Sequence, residues 1–368
     1  MKAAVLTAVG SPLAVEEIPV PRPKAEEVLI KVAACGVCHS DLHVAKGELK
    51  FPVPCVLGHE ISGVVAEVGP GVAALKPGDP VVASFILPCG RCPSCARGRD
   101  DLCETFFAMN RLKGTLYDGE TRLHRGDGSP LSMYSMGGLA EYAVVTATDV
   151  FKLPSGMPLA DSCILGCAIM TAYGAVRHQA EVKPGDTVAV IGAGGVGSNV
   201  VQIARLFGAS EVIAVDIRDD KLAEVQKLGA TRGVNASKGD PVAQVQALTG
   251  GRGVDVAIEA LGRPETVSNA FLMTRDGGRT VVIGLAPGQA TASIEVTRLV
   301  RRSIRLTGSY GCRVRTDMPE IVSLAARGLI DVSKSISRRY RLDECVEAYQ
   351  ALNRGEIMGR AIITMGTP

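Results

Sequence analysis

Thr187-Val188-Ala189-Val190-Ile191 runs into Gly192-Ala193-Gly194-Gly195-Val196-Gly197 and then SNVVQIARLFGA (Ser198 to Ala209), and the reading of this 368-residue chain begins there. A short unbroken run of apolar, largely β-branched residues has the character of a strand buried on both faces. The apolar residues of the segment that follows recur at helical spacing. Between the two lies G-x-G-x-x-G at a strand-to-helix turn. Gly192 makes the tight turn, Gly194 lets the backbone approach a pyrophosphate, and Gly197 permits close packing of helix on strand. Gly195 belongs to the same turn, and the helix that follows offers unpaired N–H groups and a positive end that favour phosphate charge. The next strand-like run, Glu211 to Asp216, ends in a carboxylate 24 positions after Gly192. A carboxylate there accepts hydrogen bonds from ribose hydroxyls and repels a 2′-phosphate, so NAD is the expected dinucleotide. Arg218 lies nearby as a cation able to neutralise a 2′-phosphate, which keeps NADP open as the alternative.

From about residue 169 onward, strand-like runs (TVAVIG, EVIAVD, VDVAIEA, RTVVIGL) alternate with segments of helical spacing. That alternation predicts an α/β unit with a doubly wound parallel sheet. Before it, to about residue 155, the chain is rich in Val, Gly and Pro. Short runs such as VLIKVAAC (Val28 to Cys35) and ISGVVAEVG (Ile61 to Gly69) are separated by turn formers such as Lys76-Pro77-Gly78-Asp79. A β-rich, barrel-like domain is expected there. The polar, Gly-containing segment from about Thr105 to Met136 reads as a long surface excursion. Beyond Leu306 the pattern is helix, loop, helix and a final strand, Arg360 to Met365.

Hydrophobic residues make up 46% and charged residues 21%, a balance that excludes disorder over most of the chain. Forty Lys plus Arg against 38 Asp plus Glu leave a net charge of +2, with no basic stripe, so nucleic acid is not an expected partner. The first residues lack the apolar core of a signal peptide, and no run approaches a membrane span. A cytoplasmic protein without membrane partners is the resulting expectation.

Eleven cysteines in such a chain imply metal binding or burial rather than a disulfide framework. Cys89, Cys92, Cys95 and Cys103 spell C-x2-C-x2-C-x7-C, four thiolates on one short loop, as closed tetrahedral zinc requires. An iron–sulfur cluster is the rival for four cysteines. The bacterial ferredoxin run, however, places its last Cys before a Pro, unlike Asp101-Leu102-Cys103. A zinc with no open position would staple the lobe and take no part in chemistry.

Cys35-Gly36-Val37-Cys38-His39-Ser40-Asp41-Leu42-His43 gathers thiols, a hydroxyl and two imidazoles; Gly58-His59-Glu60 follows an apolar run, and Cys163-Ile-Leu-Gly-Cys167 comes much later. Spacing alone does not assemble a site from segments so far apart. These motifs (CGVCHSDLH, GHE, the four-cysteine loop, LGCAIMTAYGA, GAGGVG and VIAVD) resemble, in order and spacing, those of the zinc-containing medium-chain alcohol dehydrogenases over essentially the whole chain. The resemblance implies a GroES-like catalytic domain from residues 1–168 and 312–368, a Rossmann domain from 169–311, and a homo-oligomer of two or four subunits. It implies Cys38, His59 and Cys167 as ligands of a catalytic zinc with an open position, and Glu60 as an alternate ligand. Asp41 would orient a ligand from behind, and Ser40 with His43 would relay a proton. His39 and Arg360 are implied at the cofactor pyrophosphate, Lys221 at the adenosine ribose, and Val196 and Thr171 against the nicotinamide. The implied reaction is reversible oxidation of a primary or secondary alcohol, with zinc as Lewis acid and hydride passing to NAD.

Phe85 and Leu285 match positions lining the family's substrate cleft and imply an apolar pocket, with plain core as the other reading. In glutathione-dependent formaldehyde dehydrogenases of this family an Arg stands four residues after the last loop cysteine; here Phe107 stands there, with Arg111 nearby. The departure argues against glutathione conjugates, although Arg111 is close enough for a loop shift to compensate, and two other functions stand beside the first. One is a thiol-adduct formaldehyde dehydrogenase. The other is a non-catalytic zinc- and nucleotide-binding protein, which the intact Cys38, Ser40, His43, His59, Cys167 and Asp216 argue against.

Overall fold

The computed structural model describes residues 1–366. The chain divides into two compact units: Met1–Met170 together with the chain from Arg313 onward, and Thr171–Cys312.

The second unit is built on six parallel strands: β1 (Thr187–Ile191), β2 (Glu211–Asp216), β3 (Arg232–Asn235), β4 (Val254–Glu259), β5 (Thr274–Val282) and β6 (Arg305–Gly308). Their spatial order is β3-β2-β1-β4-β5-β6. This is a doubly wound sheet whose direction of winding reverses between β1 and β4, the place where such folds bind dinucleotides. The central strand β1 is buried from Val188 to Ile191, because helices cover both faces. Ala189, Ile191, Ile213, Val215, Val254 and Ala257 form the core on one side with Val245, Ala270 and Met273 from the helices. The edge strands β3 (RGVN) and β6 (RLTG) carry no apolar run, which is why sequence patterning does not show them.

The first unit is mostly antiparallel. One sheet runs Val150–Lys152, Pro80–Ala83, Ile61–Val68, Glu27–Val37, Arg360–Thr364 and Ile336–Arg341, with Tyr142–Thr146 also paired to Glu27–Val37. Glu27–Val37 is its spine, eleven residues long and buried at all but two positions. The strand Arg360–Thr364 pairs with it, Ala361 opposite Val37, so the far end of the chain is hydrogen-bonded into the N-terminal sheet. Ile336–Arg341 occupies the place where a loop was expected. A second sheet runs Ala14–Glu17, Lys2–Leu6, Cys55–Val56, Pro130–Met133 and Leu123–His124.

The expected surface excursion over Thr105–Met136 is not one. Phe106, Asn110, Leu116, Leu123, Leu131, Met133 and Tyr134 are buried, and the segment supplies two strands to the second sheet. Its polarity misleads because several of its polar groups find partners inside the fold. Asn110 Nδ2 donates to Ser135 O at 2.7 Å, and buried Arg122 donates from Nε to Glu27 Oε2 at 2.9 Å. No helix among the described residues is long and apolar enough to cross a membrane.

Candidate active site and metal centres

Cys38 follows the strand Glu27–Val37 and precedes the helix His39–Ala45. His59 and Glu60 immediately precede the strand Ile61–Val68. Cys35 pairs with Ile61, and Gly36 N–H donates to Glu60 O at 2.8 Å, so the end of one strand lies beside the start of the other. A Cβ at Gly36 would fall 2.3 Å from Glu60 Oε2, so glycine is what leaves room for that carboxylate. Cys167 ends the helical turn Asp161–Gly166, which is drawn toward the sheet by Phe85 N–H on Gly166 O at 2.8 Å. One ligand atom from each of Cys38, His59, Glu60 and Cys167 lies within 4.8 Å of all the others, and all four residues are buried.

Asp41 supports this cluster from behind. It is wholly buried on the helix; its Oδ1 accepts from His59 Nδ1 at 3.1 Å and from Gly58 N at 2.9 Å, and its Oδ2 accepts from Tyr349 Oη at 3.0 Å. A carboxylate on Nδ1 fixes the proton there and leaves Nε2 for the cluster. The strand register places Arg360 next to Cys38's strand, and its guanidinium donates to both Glu60 oxygens and lies 3.8 Å from Cys167 Sγ. The resemblance had put this side chain at a pyrophosphate; its bonds here are within the cluster. Phe85 and Tyr134 set their rings edge-on to His59, with centroids 6.0 and 5.5 Å away, and Arg111 lies 4.3 Å over the Tyr134 ring.

Burial works against a charged His59, yet the Asp41 carboxylate and Cys38 outweigh it and raise the imidazole to about 10. A hydrogen bond from Cys167, then Arg360 and His59, hold Cys38 well below the usual thiol range, and the same bond pushes Cys167 up. Burial lifts Glu60 to about 7 against the pull of Arg360. Two sulfurs and an imidazole, held from behind by a carboxylate, are a donor set that suits zinc and leaves a position open. The residues fit that ion.

Cys89, Cys92, Cys95 and Cys103 also bring their sulfurs within 4.8 Å of one another. Backbone N–H groups point at them: Cys89 N to Cys103 Sγ at 3.3 Å, Cys92 N to Cys89 Sγ at 3.3 Å, and Phe106 N to Cys103 Sγ at 3.4 Å. Amide donors aimed at sulfur stabilise thiolates, and four thiolates on one loop fit a closed zinc site. Arg315 ties the lobe down, donating from Nη2 to Cys95 O at 2.6 Å and forking onto Asp100 at 2.8–3.2 Å.

In the second unit the three glycines differ in what a side chain would meet. Gly192 has φ +98°, a left-handed turn that favours glycine. A Cβ on Gly197 would lie 1.7 Å from Gly192 O, so helix and turn could not close. A Cβ on Gly194 would meet no protein atom within 4 Å, so that side of the turn is open to a ligand. Gly195 and Val196 begin the helix Gly195–Leu206. Asp216, at the end of β2, accepts from Ala193 N at 2.8 Å and Arg218 N at 3.1 Å, while the Arg218 guanidinium pairs with Asp220. These features fit a dinucleotide at the turn.

The remaining expected residues fall as follows. Ser40 Oγ lies 3.8 Å from Cys38 Sγ, and His43 Nδ1 bonds to the Glu48 carboxylate. His39 is exposed at the helix start, Lys221 lies in the first turn of the helix Asp219–Lys227, and Thr171 is buried in the helix Ala168–Gly174. Phe107 stacks edgewise on Phe106 at 5.3 Å, and Leu285 is 39% exposed in the second unit. Sequence reasoning missed Glu48, Tyr134 and Tyr349. Gly47, a helix stop that turns the chain back, is a local signal for Glu48. Tyr349 comes from the helix Cys345–Asn353, and nothing in its spacing points to Asp41.

Comparison with known proteins agrees with this geometry. Residues 24–155 match the alcohol dehydrogenase GroES-like domain and residues 195–327 the zinc-binding dehydrogenase family. The chain is 37% identical over 360 residues to an NDMA-dependent alcohol dehydrogenase of Amycolatopsis methanolica, covering 96% of each chain. Among solved structures, an alcohol dehydrogenase zinc-binding domain protein from Burkholderia ambifaria superimposes with TM-score 0.93 at 35% identity, over 100% of this chain and 99% of the other. Benzyl alcohol dehydrogenase of Acinetobacter calcoaceticus does so with TM-score 0.93 at 31% identity, over 99% of each. Fold, metal-ligating clusters and these matches define an oxidoreductase. The chain belongs to the zinc-containing medium-chain alcohol dehydrogenase family.

Proposed function

We propose that the protein oxidises primary or secondary alcohols to aldehydes or ketones, reversibly, with NAD as hydride acceptor. The observation that carries this is the convergence of Cys38, His59 and Cys167 on one buried point, with Glu60 beside them and Asp41 behind. Zinc held there supplies Lewis acidity that lowers the pKa of an alcohol proton. Asp41 holds His59 with Nε2 toward the cluster, and Arg360 neutralises Glu60, which is the alternate ligand. Ser40 takes the alcohol proton and His43 receives it in turn. Gly192, Gly194 and Gly197 with the helix start bind the NAD pyrophosphate, to which His39 contributes, and Asp216 with Lys221 binds the adenosine ribose. Val196 and Thr171 face the nicotinamide. The four-cysteine loop holds a second, structural zinc. Phe85 and Tyr134 give the site an aromatic wall. A homo-oligomer working in the reducing cytoplasm, where thiolates stay available to zinc, completes the proposal.

The test is NAD reduction by zinc-loaded protein over short aliphatic, secondary and benzylic alcohols, since one structural relative is a benzyl alcohol dehydrogenase. Parallel arms add NDMA, which a relative requires, and formaldehyde with and without thiols. Turnover of simple alcohols, lost on chelation and restored by zinc, is expected. Turnover of formaldehyde plus thiol alone would transfer the enzyme to the adduct dehydrogenases. Bound zinc and NAD with silence in every arm would refute the proposal.

A further inference from the structure

His43 and Glu48 face each other because of how one short helix ends. The helix His39–Ala45 stops at Lys46, and Gly47, at φ +76°, turns the chain. Glu48 N–H and Leu49 N–H then both donate to His43 O, at 2.8 and 3.1 Å, which returns the Glu48 side chain over the imidazole. There its carboxylate bonds to His43 Nδ1. The nearby cation is directed elsewhere, Lys46 Nζ lying 2.6 Å from Asn353 Oδ1. Both partners are only partly exposed, 22% and 34% of their side chains, so the bond is not a fully solvated surface pair. The hydrogen bond from His43 holds the Glu48 carboxyl below its ordinary range, which makes it an ionised acceptor. An acceptor at that nitrogen requires the proton to sit on Nδ1. The arrangement repeats that of His59, whose Nδ1 is bonded to Asp41 from the same helix.

We propose that Glu48 is a positioning residue of the proton relay: it holds His43 in the Nδ1–H tautomer and so leaves Nε2 as the nitrogen that accepts the proton. The proposal rests on the alcohol-oxidising function above. As the substrate proton passes to Ser40 Oγ, the Ser40 O–H bond breaks and an Nε2–H bond forms on His43. The resulting imidazolium faces the Glu48 carboxylate. Loss of that proton from Nε2 to water restores the neutral Nδ1–H form. The hydride carries its electron pair to NAD, so one alcohol and one NAD yield one carbonyl, one NADH and one proton. With the other tautomer, Nε2 carries a hydrogen and cannot accept.

The experiment uses zinc-loaded, full-length protein labelled with nitrogen-15 in its five histidines. His43 is assigned by its loss in His43→Gln, and its ring-nitrogen shifts report the tautomer. The Nδ1–H form is expected in the wild type, with reversion toward Nε2–H in Glu48→Ala. Alcohol-oxidation kcat should fall about tenfold or more in Glu48→Ala while the KM for NAD stays the same. Glu48→Gln, which keeps an acceptor and is the milder change for folding, should keep the tautomer and lose less rate. A wild-type His43 protonated on Nε2, or a tautomer unmoved in Glu48→Ala, would overturn the role of Glu48. Absence of alcohol turnover in the wild type would instead overturn the function on which the relay depends, and the tautomer would report on Glu48 separately.

Discussion

Two alanine substitutions in one glycine turn should fail in opposite ways. Gly194 has φ −86° and ψ −162°, a conformation open to any L-residue, and a Cβ there meets no protein atom within 4 Å. Gly194→Ala should therefore fold normally, with a gain of up to about 1 kcal/mol from a less flexible unfolded chain. The added methyl stands where the pyrophosphate must approach. Overpacking of that kind costs about 1–3 kcal/mol, which corresponds to dinucleotide binding weaker by about 5- to 150-fold. In Gly197→Ala the new carbon would lie 1.7 Å from Gly192 O, and backbone rather than a flexible side chain has to yield. That variant should lose stability by at least as much, together with its dinucleotide affinity. Titration of NADH fluorescence and urea unfolding followed by circular dichroism separate the two. Gly194→Ala binding NADH within twofold of wild type would show that the phosphate does not approach this turn. A Gly197→Ala protein as stable as wild type would refute the packing argument.

Further outcomes are expected elsewhere in the molecule. Tyr349→Phe keeps the ring but removes a buried hydrogen bond to the Asp41 carboxylate, which should lower the stability of the first unit by about 1.5–3 kcal/mol; an unchanged urea midpoint would mean that packing alone seats this residue. Glu27→Ala leaves Arg122 buried with Asp118, 2.8 Å away and 37% exposed at its side chain, as its remaining carboxylate. A loss near the lower end of the roughly 3–5 kcal/mol typical of a broken buried pair is expected. The double change Glu27→Leu with Arg122→Met should recover most of it, and failure to do so in a double-mutant cycle would count against the pair as the cause. Zinc requires a neutral His59 and two thiolates, whereas in the metal-free protein His59 is raised to about 10 and Cys167 is pushed up. Binding at pH 7 should thus release protons, and affinity should fall as the pH is lowered; an indicator that records no proton release would refute this. The raised His59 has a matching effect on the metal-free fold. Its stabilising contribution is complete below the ordinary histidine pKa and is lost as the pH climbs toward about 10, so the metal-free protein should weaken across that window.

What the sequence determined was what lies close along the chain. The strand, glycine turn and helix from Thr187 to Leu206, with Asp216 after the next strand, express their chemistry within one βαβ unit, where local hydrogen bonding and short-range packing settle the geometry. The four-cysteine loop is legible for the same reason, its ligands being separated by no more than seven residues. Resemblance to a family could name Cys38, His59 and Cys167, but no local rule joins them. Their meeting follows from Cys35 opposite Ile61 and from Gly166 bonded to Phe85, pairings between segments remote in the chain. Register likewise carries Arg360 to Glu60, because Ala361 lies opposite Val37. Tertiary structure alone set Tyr349 on Asp41 and Tyr134 against His59. It also buried a segment whose composition reads as surface, since Asn110 and Arg122 find their partners, Ser135 and Glu27, only when the sheets have assembled. A polar side chain carries no record in sequence of whether its hydrogen bonds will go to water or to protein, and in this chain the assembled fold makes that choice.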